Sequence, residues 1–340
     1  MMSQNDFAKK QIVVFMPAKG DKMSYRNDNL VIVDGDGKVK YQSTCYRIFA
    51  ILVIGDCSIT TGLLRRAKKF GFSICFMTYG FRFYSVISSG LQGNNYLHKK
   101  QYEYNDIDLG RTLILNKIIN QRAILNRIRR KSDYIKDGIE LLDRYIDKLK
   151  TEKDISRESL LGIEGNAAKV YFARFFDFVN WNGRKPRTKC DYINSLLDIG
   201  YTILFDFIEC LLRVYDFDVY QGVLHTNFYM RKSLVCDLVE PFRPIVDWKI
   251  RKGINLGQFK KEDFQEYKHQ WQLKYKKSSE YAALFMEDIL DNKESIFSYI
   301  QAYYRTFMKG KPGGLFPMFH IESKDVFFLQ DEVTNDNSKL

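Results

Sequence analysis

The stretch LLGIEGNAAKVYFARFFDF, residues 160–178, organises the interpretation of the whole chain. Its apolar residues recur at spacings of three and four, which predicts an amphipathic helix and argues against a strand. Glu164 lies in the middle of the apolar face, where a carboxylate loses water at a cost in free energy. We therefore expect a cation, a metal ion or a raised pKa at Glu164. The bland alternative is a structural carboxylate that pairs with a core arginine or caps another helix. The residues predicted to share this face are Leu160, Leu161, Ala167, Ala168, Tyr171 and Phe175.

The composition limits the kinds of function that are open to the chain. A length of 340 residues is enough for two domains, each with its own hydrophobic core. The 53 lysines and arginines outnumber the 41 aspartates and glutamates, and the net charge is +12. This excess predicts a polyanionic partner, with nucleic acid favoured over a membrane surface, although a merely basic protein would have the same composition.

The cysteines and the apolar runs indicate where the protein works. Six cysteines, at positions 45, 57, 75, 190, 210 and 236, are scattered without a CxxC pair. We expect free thiols in a reducing compartment, without disulfides or a zinc site. The longest apolar run, residues 48–55, is too short to span a bilayer, and the N-terminus MMSQNDFAKK has no signal-peptide core. We therefore expect an intracellular protein with no membrane association.

The first part of the chain is predicted to be rich in β-strands. Two β-branched runs flank the sequence DGDG at residues 34–37, which is typical of a hairpin turn. Residues 48–54 form a continuous apolar strand, and a further strand pair is expected at residues 72–77 and 81–87. The small polar segment SSGLQGNN, residues 88–95, is the expected hinge.

After this hinge the apolar spacing becomes helical and stays so. The sequence therefore predicts an α+β fold, with an N-terminal β-rich domain at residues 1–95 followed by a mostly α-helical catalytic domain at residues 96–335. Two predicted helices, residues 111–131 and 260–277, carry many lysines and arginines, and so many cations can neutralise several phosphates. A basic loop containing Gly and Pro lies at residues 180–189.

A second group of candidate site residues lies in QGVLHTNFYMRKSLVCDLVEPFRPIVD, residues 221–247. His225 follows an apolar approach and precedes small polar residues, although a lone histidine is more often structural than a ligand. Asp237 and Glu240 lie three residues apart on a predicted helix, so they share a face. Pro241 ends or kinks this helix, which leaves the direction of the Glu240 side chain open.

Glu164, His225 and an acid from Asp237 or Glu240 form an oxygen-rich ligand set with one imidazole. Such a set suits Mg²⁺ or Mn²⁺ with positions open for water and phosphate oxygens. In phosphodiester chemistry such a metal stabilises the developing charge and activates or releases an oxygen. Arg243 is available to neutralise either acid, so structural ion pairing is the alternative. The ligand set and the positive charge together indicate a protein that acts on DNA or RNA.

Three sequence blocks carry a resemblance to a known family. The blocks are GIEGNAAKVYF around Glu164, GVLH at His225 and SLVCDLVEPFRPIVD at residues 233–247. Their order and spacing resemble those of the CRISPR adaptation integrase, the universal spacer-acquisition endonuclease/integrase of CRISPR systems, over nearly the whole chain. The resemblance implies metal ligation by Glu164, His225 and Glu240, with Asp237 as an acid that some members add. Many members have Asp at the third position, so the longer Glu240 leaves its share with Asp237 open.

The resemblance also implies a reaction and an assembly. It implies a homodimer formed through the β-rich domains, and a small ferredoxin-like second CRISPR adaptation protein that bridges two dimers. The complex would hold a double-stranded DNA prespacer, whose 3′-hydroxyl ends attack the phosphodiesters at the two ends of a CRISPR repeat. We therefore expect a metal-dependent DNA endonuclease and integrase in the cytoplasm of a prokaryote, with the two basic helices along the DNA backbone.

Two other functions fit the same residues. A stand-alone metal-dependent nuclease that acts on branched DNA, as in repair, would use the same ligands but would cut without joining. A catalytically silent nucleic-acid scaffold would keep the charge excess, and its acids would serve only structural pairing. The three blocks occur together and in the same order as in the family, which favours the integrase over both alternatives.

Overall fold

The computed structural model describes residues 3–79, 81, 83–87, 93–152, 154–225 and 228–329. Its N-terminal part is rich in strands and the remainder is mostly helical, which confirms the predicted α+β fold class. Most of the predicted hinge at residues 88–95 falls outside the described residues, and the domain boundary at residue 95 stays a prediction. The N-terminal elements are α1 (Gln4–Ala8), β1 (Gln11–Phe15), β2 (Lys22–Arg26), β3 (Asn29–Val33), β4 (Val39–Thr44), β5 (Ile48–Ile54), α2 (Thr61–Phe70), β6 (Ser73–Met77) and β7 (Phe83–Ile87).

The helical part follows and contains two short strand pairs. Among the described residues, no helix is both long enough and apolar enough to cross a membrane. The elements of this part are α3 (Asn95–Glu103), α4 (Ile107–Asn126), α5 (Asp133–Thr151), α6 (Arg157–Phe175), α7 (Tyr192–Val214), α8 (Ser233–Val239), α9 (Arg243–Asn255), β8 (Phe264–Tyr267), β9 (Gln270–Leu273), α10 (Ser278–Asp291), α11 (Lys293–Met308), β10 (Met318–Phe319) and β11 (Val326–Phe327).

Two sheets build the N-terminal part. The larger sheet has the strand order β1-β5-β6-β7, in which β1, β5 and β6 are parallel and β7 is antiparallel to β6. The smaller sheet is the antiparallel meander β2-β3-β4. In its β3–β4 turn, the Asp34 carboxylate accepts hydrogen bonds from the N–H groups of Asp36 at 3.0 Å and Lys38 at 2.9 Å. The DGDG sequence therefore forms the predicted hairpin turn.

Strand β5 is buried along its whole length because it belongs to two hydrophobic cores. Ala50, Leu52 and Ile54 point into the main core, which continues through the helical part. Ile51 and Val53 point to the opposite face, into a smaller core that includes residues of the meander and of α2. Burial on both faces explains the continuous apolar run in the sequence. The larger sheet thus joins the N-terminal part to the helices through shared packing.

Helix α4 lies at the centre of the helical part, and its buried amides bind the end of the chain. Asn116 donates to the carbonyl of Phe319 at 2.7 Å and accepts from the N–H of the same residue at 2.9 Å. Asn120 donates to the carbonyls of Phe319 and Pro241, both at 2.9 Å. The Asn120 amide also accepts from the N–H of Ile321 at 3.0 Å. Because buried amides need partners, β10 and the residues after it complete the polar core around α4.

The basic segment at residues 260–277 forms a β-hairpin, so the prediction of a helix there is wrong. Strands β8 and β9 pair antiparallel, with Tyr267 opposite Gln270. Between them, Lys268 and His269 both have positive φ, 50° and 61°, as in the tight turns that join twisted antiparallel strands. The prediction failed because this turn contains neither Gly nor Asn, the residues that normally mark it.

The sulfur atoms of Cys75 on β6 and Cys210 on α7 lie next to each other across 135 residues of sequence. Their Cα atoms are 7.7 Å apart, beyond the roughly 4.4–6.8 Å at which disulfides form, so this contact is not a disulfide geometry. The expectation of free thiols therefore stays a prediction. Spacing along the chain did not indicate the contact, because only the packing of β6 against α7 brings the two residues together. The other cysteines, Cys45, Cys57, Cys190 and Cys236, are free thiols.

The substitution Leu52→Ala is expected to lower the free energy of unfolding by about 2–5 kcal/mol, because it leaves a cavity in the core that the sheet shares with the helices. The matched control is Val39→Ala, which changes a side chain that is 51 % exposed. We expect the control to change stability by no more than about 0.5 kcal/mol. Urea unfolding followed by far-UV circular dichroism compares the two variants. Equal midpoint shifts would contradict the core position of Leu52.

Candidate active site

Helix α6 carries Glu164 and begins at the N-cap Ser156, whose hydroxyl accepts a hydrogen bond from the N–H of Ser159. The helix confirms the predicted periodicity, with one difference: Leu161 is 38 % exposed and lies off the buried face. Glu164 itself lies at the edge of that face, with a side chain that is 21 % exposed. The buried residues of the predicted face are Leu160, Ala167, Tyr171 and Phe175.

Three separate parts of the chain bring two acidic side chains onto one buried cation. The side chain of Lys117 on α4 is only 8 % exposed, and its ammonium lies 2.5 Å from a carboxylate oxygen of Glu164. The same ammonium lies 2.7 Å from Oε2 of Glu240, which begins the short 3₁₀ turn between α8 and α9. Glu164 therefore has the cationic neighbour that its position in the sequence predicted, and that neighbour is Lys117.

Glu240 is held between two cations. Its Oε2 also lies 3.0 Å from the guanidinium Nε of Arg243, three residues later in the chain. Burial alone would raise the pKa of the Glu240 carboxyl, but Arg243 and Lys117 outweigh burial and lower that pKa to about 2. Glu240 is therefore an anion at neutral pH. Arg243 neutralises Glu240, which is one of the two pairings that the sequence left open.

Asp237 is fully buried on α8 and organises the segment that carries His225. One of its carboxylate oxygens accepts hydrogen bonds from the backbone N–H groups of Val223 at 2.6 Å and Leu224 at 3.0 Å. The other oxygen accepts from the N–H of His225 at 3.0 Å and lies 2.6 Å from its ring Nδ1. A carboxylate at Nδ1 fixes the orientation of the ring, so that Nε2 is the ring nitrogen that can bind a metal ion. Asp237 therefore acts through His225.

The two acids on this short segment bind different partners because the helix ends between them. Helix α8 ends at Val239, and the 3₁₀ turn that contains Pro241 follows. Asp237 binds the loop before the helix, whereas Glu240 binds the cation on α4. Asp237 and Glu240 were predicted to share a face because they are three residues apart, but their carboxylates bind different partners and have distinct roles.

The donor atoms present suit a hard divalent cation. Glu164 and Glu240 already share one positive charge, and carboxylate oxygens with one imidazole are ligands that Mg²⁺ and Mn²⁺ accept. Within the described residues, no three side chains of His, Cys, Asp or Glu are grouped so as to hold a metal ion. The ammonium of Lys117 takes the position between the two carboxylates. Metal binding by this set therefore requires that the ammonium leave that position.

A buried network supports the site from α6, α7 and α9. Asp247 of α9 accepts hydrogen bonds from the hydroxyls of Tyr171 on α6 at 2.9 Å and Tyr201 on α7 at 2.5 Å. Burial raises the pKa of Asp247 to about 6, although the two hydroxyls oppose the shift. The guanidinium groups of Arg243 and Arg184 lie over the ring of Tyr201, at 4.5 and 5.5 Å from its centroid. The network thus fixes the guanidinium of Arg243, which pairs with Glu240.

Lys117 is the site residue whose role the sequence analysis missed, because it was grouped with the phosphate-binding cations of a basic helix. A signal was available: position 117 lies between the inward-facing Ile114 and Ile118, and a buried lysine needs anionic partners. Other cations in and just after α4 also have carboxylate partners: Arg111 pairs with Asp108, Arg122 with Asp143 and Arg127 with Glu322. Arg129, Arg130 and Lys131 follow the helix and form no ion pair among the described residues, so a DNA track along residues 111–131 stays a prediction.

A polar cavity of about 630 Å³ adjoins His225. One wall is the loop that Asp237 organises, and Arg157 fixes this wall by donating to the carbonyl of Leu224 at 2.8 Å. The cavity gives polar groups of a substrate access to the imidazole. Its other polar lining residues include Asn105, Asp106, Ser156 and Gln221.

A family model described as CRISPR associated protein Cas1 matches residues 14–287, which is most of the chain. The chain belongs to the Cas1 family. The match includes all three blocks on which the resemblance to the CRISPR adaptation integrase was based, so the comparison confirms that resemblance. Glu164, His225 and Glu240 all lie inside the matched range of this Cas1-family chain.

Known proteins are similar to this chain in sequence or in fold. CRISPR-associated endonuclease Cas1 2 of Rhodospirillum rubrum is 28 % identical over 271 residues, which are 74 % of this chain and 78 % of that protein. A casposase bound to integration product has a TM-score of 0.71 and 21 % identity, over 88 % of this chain and 91 % of that one. A Cas6-RT-Cas1–Cas2 complex has a TM-score of 0.73 and 20 % identity, over 89 % of this chain and 35 % of that one. The two structures share the fold of this chain.

Replacing Asp247 with Asn is expected to change how stability depends on pH. The pKa of about 6 in the folded state lies above the ordinary value of 3.8, so Asp247 favours folding in its protonated form. This contribution is complete below about pH 4 and is lost as the pH rises through about 6, a change of about 3 kcal/mol. Relative to the D247N variant, the wild-type protein should therefore become less stable between about pH 4 and pH 7.

Urea unfolding at several pH values measures this difference. Asp36→Asn is the matched control, because Asp36 is exposed in the β3–β4 turn. We expect the control variant to follow the wild-type protein at every pH. A stability difference between the wild-type protein and the D247N variant that stays constant with pH would contradict the raised pKa.

Proposed function

We propose that this Cas1-family chain is a metal-dependent DNA endonuclease and integrase that inserts short foreign DNA fragments into a CRISPR array. The observation that supports the proposal best is the convergence of Glu164 on α6 and Glu240 on the turn after α8 on one buried cation. The ring of His225 is held by Asp237, which lies on the helix that ends just before Glu240. The relative from Rhodospirillum rubrum is named an endonuclease, and the casposase is bound to an integration product.

Mg²⁺ or Mn²⁺, held by Glu164, His225 and Glu240, would stabilise the charge that develops on a phosphodiester during attack. The other residues position these ligands. Asp237 holds Nδ1 of His225, so that Nε2 is the donor atom that remains. Arg243 keeps Glu240 ionised and adds positive charge beside the place where a phosphate would approach.

The proposed reaction exchanges one phosphodiester for another. The 3′-hydroxyl of a DNA prespacer attacks the phosphorus at the end of a CRISPR repeat, the new P–O bond forms, and the bond to the departing strand breaks. The departing strand leaves with a free 3′-hydroxyl, so no oxidant or reductant is needed. If water attacks in place of the hydroxyl, the same step is endonuclease cleavage.

The proposed assembly extends beyond one chain. We infer a homodimer through the β-rich residues 1–95 and a small ferredoxin-like second adaptation protein that bridges two dimers in the cytoplasm of a prokaryote. The similarity to a Cas1 chain in a complex with Cas2 supports a partner of that kind. Double-stranded DNA is the expected substrate both as prespacer and as repeat.

The substitution Glu164→Gln is expected to lower metal-dependent strand transfer at least about 100-fold, because it removes the charge of one proposed ligand. Folding and DNA binding should persist, since the side chain lies at the edge of the buried face. The assay joins a labelled prespacer to a repeat-containing plasmid in the presence of the partner protein. Glu158→Gln, at an exposed position six residues earlier on α6, is the matched control.

Two results of this assay would count against the proposal. Full strand transfer by the E164Q variant would remove Glu164 from the site. Cutting without joining by the wild-type protein, even with the partner protein, would favour the stand-alone nuclease that acts on branched DNA.

The substitution Lys117→Met is expected to tighten Mn²⁺ binding about tenfold, since the ammonium no longer competes for Glu164 and Glu240. Electron paramagnetic resonance of free Mn²⁺ measures the affinity without reference to activity. Lys169→Met, at an exposed position on α6, is the control and should bind Mn²⁺ as the wild-type protein does. An unchanged or weaker affinity of the K117M variant would show that the lysine does not occupy the metal position.

A further inference from the structure

A second buried group of charged side chains lies between α7 and the start of α8. Glu209 on α7 is fully buried, and one of its carboxylate oxygens accepts a hydrogen bond from the ammonium of Lys232 at 2.6 Å. Its other oxygen lies 2.8 Å from the guanidinium of Arg213, one turn later on α7. Hydrogen bonds between charged groups are short and strong, so Glu209 fixes both cations in place.

Asp206, three residues before Glu209 on α7, does not compete for the ammonium of Lys232. Its side chain is fully buried, and neither of its carboxylate oxygens forms a hydrogen bond with the described residues. Burial and the nearby charge of Glu209 raise the pKa of Asp206 well above its ordinary value, which favours the protonated form. Glu209 is therefore the ion-pair partner of Lys232 among the described residues.

The side chain of Lys232 also contacts the β-rich part of the protein. Its ammonium lies 3.4 Å from the ring centroid of Phe83 on β7, an edge strand of the larger sheet. The face of an aromatic ring attracts a cation at this distance, and most strongly where water is excluded. The Lys232 side chain is only 15 % exposed. One lysine thus joins β7 of the sheet to α7 of the helical part.

The backbone of Lys232 begins the helix that carries Asp237. Lys232 is the N-cap residue of α8, and its carbonyl accepts a hydrogen bond from the N–H of Cys236 at 3.1 Å. Asp237 follows on the same short helix and lies 2.6 Å from Nδ1 of His225. A displacement of Lys232 therefore moves α8, and with it the carboxylate that holds the imidazole.

The loop that carries His225 is packed tightly against α8. A Cβ atom added to Gly222 would lie 2.6 Å from Cβ of Ser233 and 3.0 Å from a carboxylate oxygen of Asp237. Only glycine allows so close an approach of the loop backbone to the first turn of the helix. The loop and α8 are therefore expected to move together.

We propose that Lys232 is a positioning residue of the proposed reaction, which orients the His225 ring through α8 and Asp237 and ties this orientation to strand β7. The inference rests on the proposed function in taking His225 as a metal ligand. A buried ion pair often adds little net stability compared with well-packed apolar side chains. Orientation of the site is the role that the contacts of Lys232 with Glu209 and Phe83 support.

The first test compares Lys232→Met with Lys232→Arg in the full chain. Methionine is of similar length but has no charge, so the K232M variant loses the ion pair with Glu209, whereas arginine keeps a cation there. Electron paramagnetic resonance of free Mn²⁺ measures metal affinity without reference to activity. We expect affinity to fall about tenfold in the K232M variant, the low end for losing an outer partner of a metal ligand, and less than about threefold in the K232R variant.

A double substitution tests whether Lys232 acts through Asp237. The variant with Lys232→Met and Asp237→Asn combined should bind Mn²⁺ as weakly as the D237N variant alone, because the carboxylate on which the lysine acts is already gone. A further loss of about tenfold in the double variant would overturn the proposal, since the two effects would then be independent. Wild-type Mn²⁺ affinity in the K232M variant would also overturn it.

Nuclear magnetic resonance of isotope-labelled histidine tests the orientation without a metal ion. The chain has four histidines, and the His225 signal is the one that is lost in the His225→Gln variant. This signal should shift in the K232M variant. It should stay unchanged in the control Lys249→Met, which removes another buried lysine, paired with Glu287 at 2.7 Å. An unshifted signal in the K232M variant, or an equal shift in the control, would overturn the positioning role.

Phe83→Leu tests the link to β7 with Lys232 still present, and it serves as the second variant if the K232M protein does not fold. Leucine keeps an apolar side chain on β7 but removes the ring that attracts the ammonium. The His225 signal should shift in the same direction as in the K232M variant. An unshifted His225 signal in a folded F83L protein would overturn the link to β7.

Failure of the positioning role can be distinguished from failure of the proposed function. Strand transfer by the wild-type protein, together with an unshifted His225 signal in the K232M variant, would overturn only the positioning role. A shifted His225 signal in the K232M variant, in a wild-type protein that neither binds Mn²⁺ nor joins DNA, would support the orientation of the ring by Lys232 and overturn the metal-dependent integrase.

Discussion

The candidate site depends on one buried ammonium that two carboxylates share. Removing Lys117, Glu164 and Glu240 from water costs several kcal/mol per ion in order of magnitude, and the arrangement is favourable only because opposite charges lie within contact distance. The three residues come from α4, α6 and the turn after α8, so these elements must pack correctly before the charges can meet. In the proposed function, a cation of higher charge would replace the ammonium between the same oxygens.

The fold supplies this packing from two sides. Strand β5 places alternate side chains in two cores, so the sheet cannot move away from the helices without exposing apolar surface. On the other side, the hydroxyls of Tyr171 and Tyr201 hold Asp247, and the Tyr201 ring contacts Arg243. The polar groups closest to the acids are therefore held in place by buried neighbours, which is the preorganisation that catalysis on a charged substrate requires.

The sequence alone was informative wherever periodicity or turn chemistry is local. The α6 face, the need of Glu164 for a cation and the DGDG hairpin follow from spacing and residue type. Other features depend on contacts between distant residues. The sequence shows a lysine at position 117, but its two carboxylate partners lie on other elements and could not be predicted from spacing. Asp237 was left as an alternative ligand because hydrogen bonds to a loop backbone have no sequence pattern. Residues 260–277 were predicted to form a basic amphipathic helix because the turn of the hairpin lacks its usual residues.

The contacts of α4 with the end of the chain affect how the protein matures on the ribosome. Asn116 forms hydrogen bonds with Phe319, which lies 203 residues later in the chain, and Asn120 forms one with Ile321, 201 residues later. A nascent chain emerges from its N-terminus, so the helix that carries Lys117 lacks these partners until about 200 further residues have been made. A translation product that stops before residue 319 would therefore contain all the proposed catalytic residues without the scaffold that brings them together.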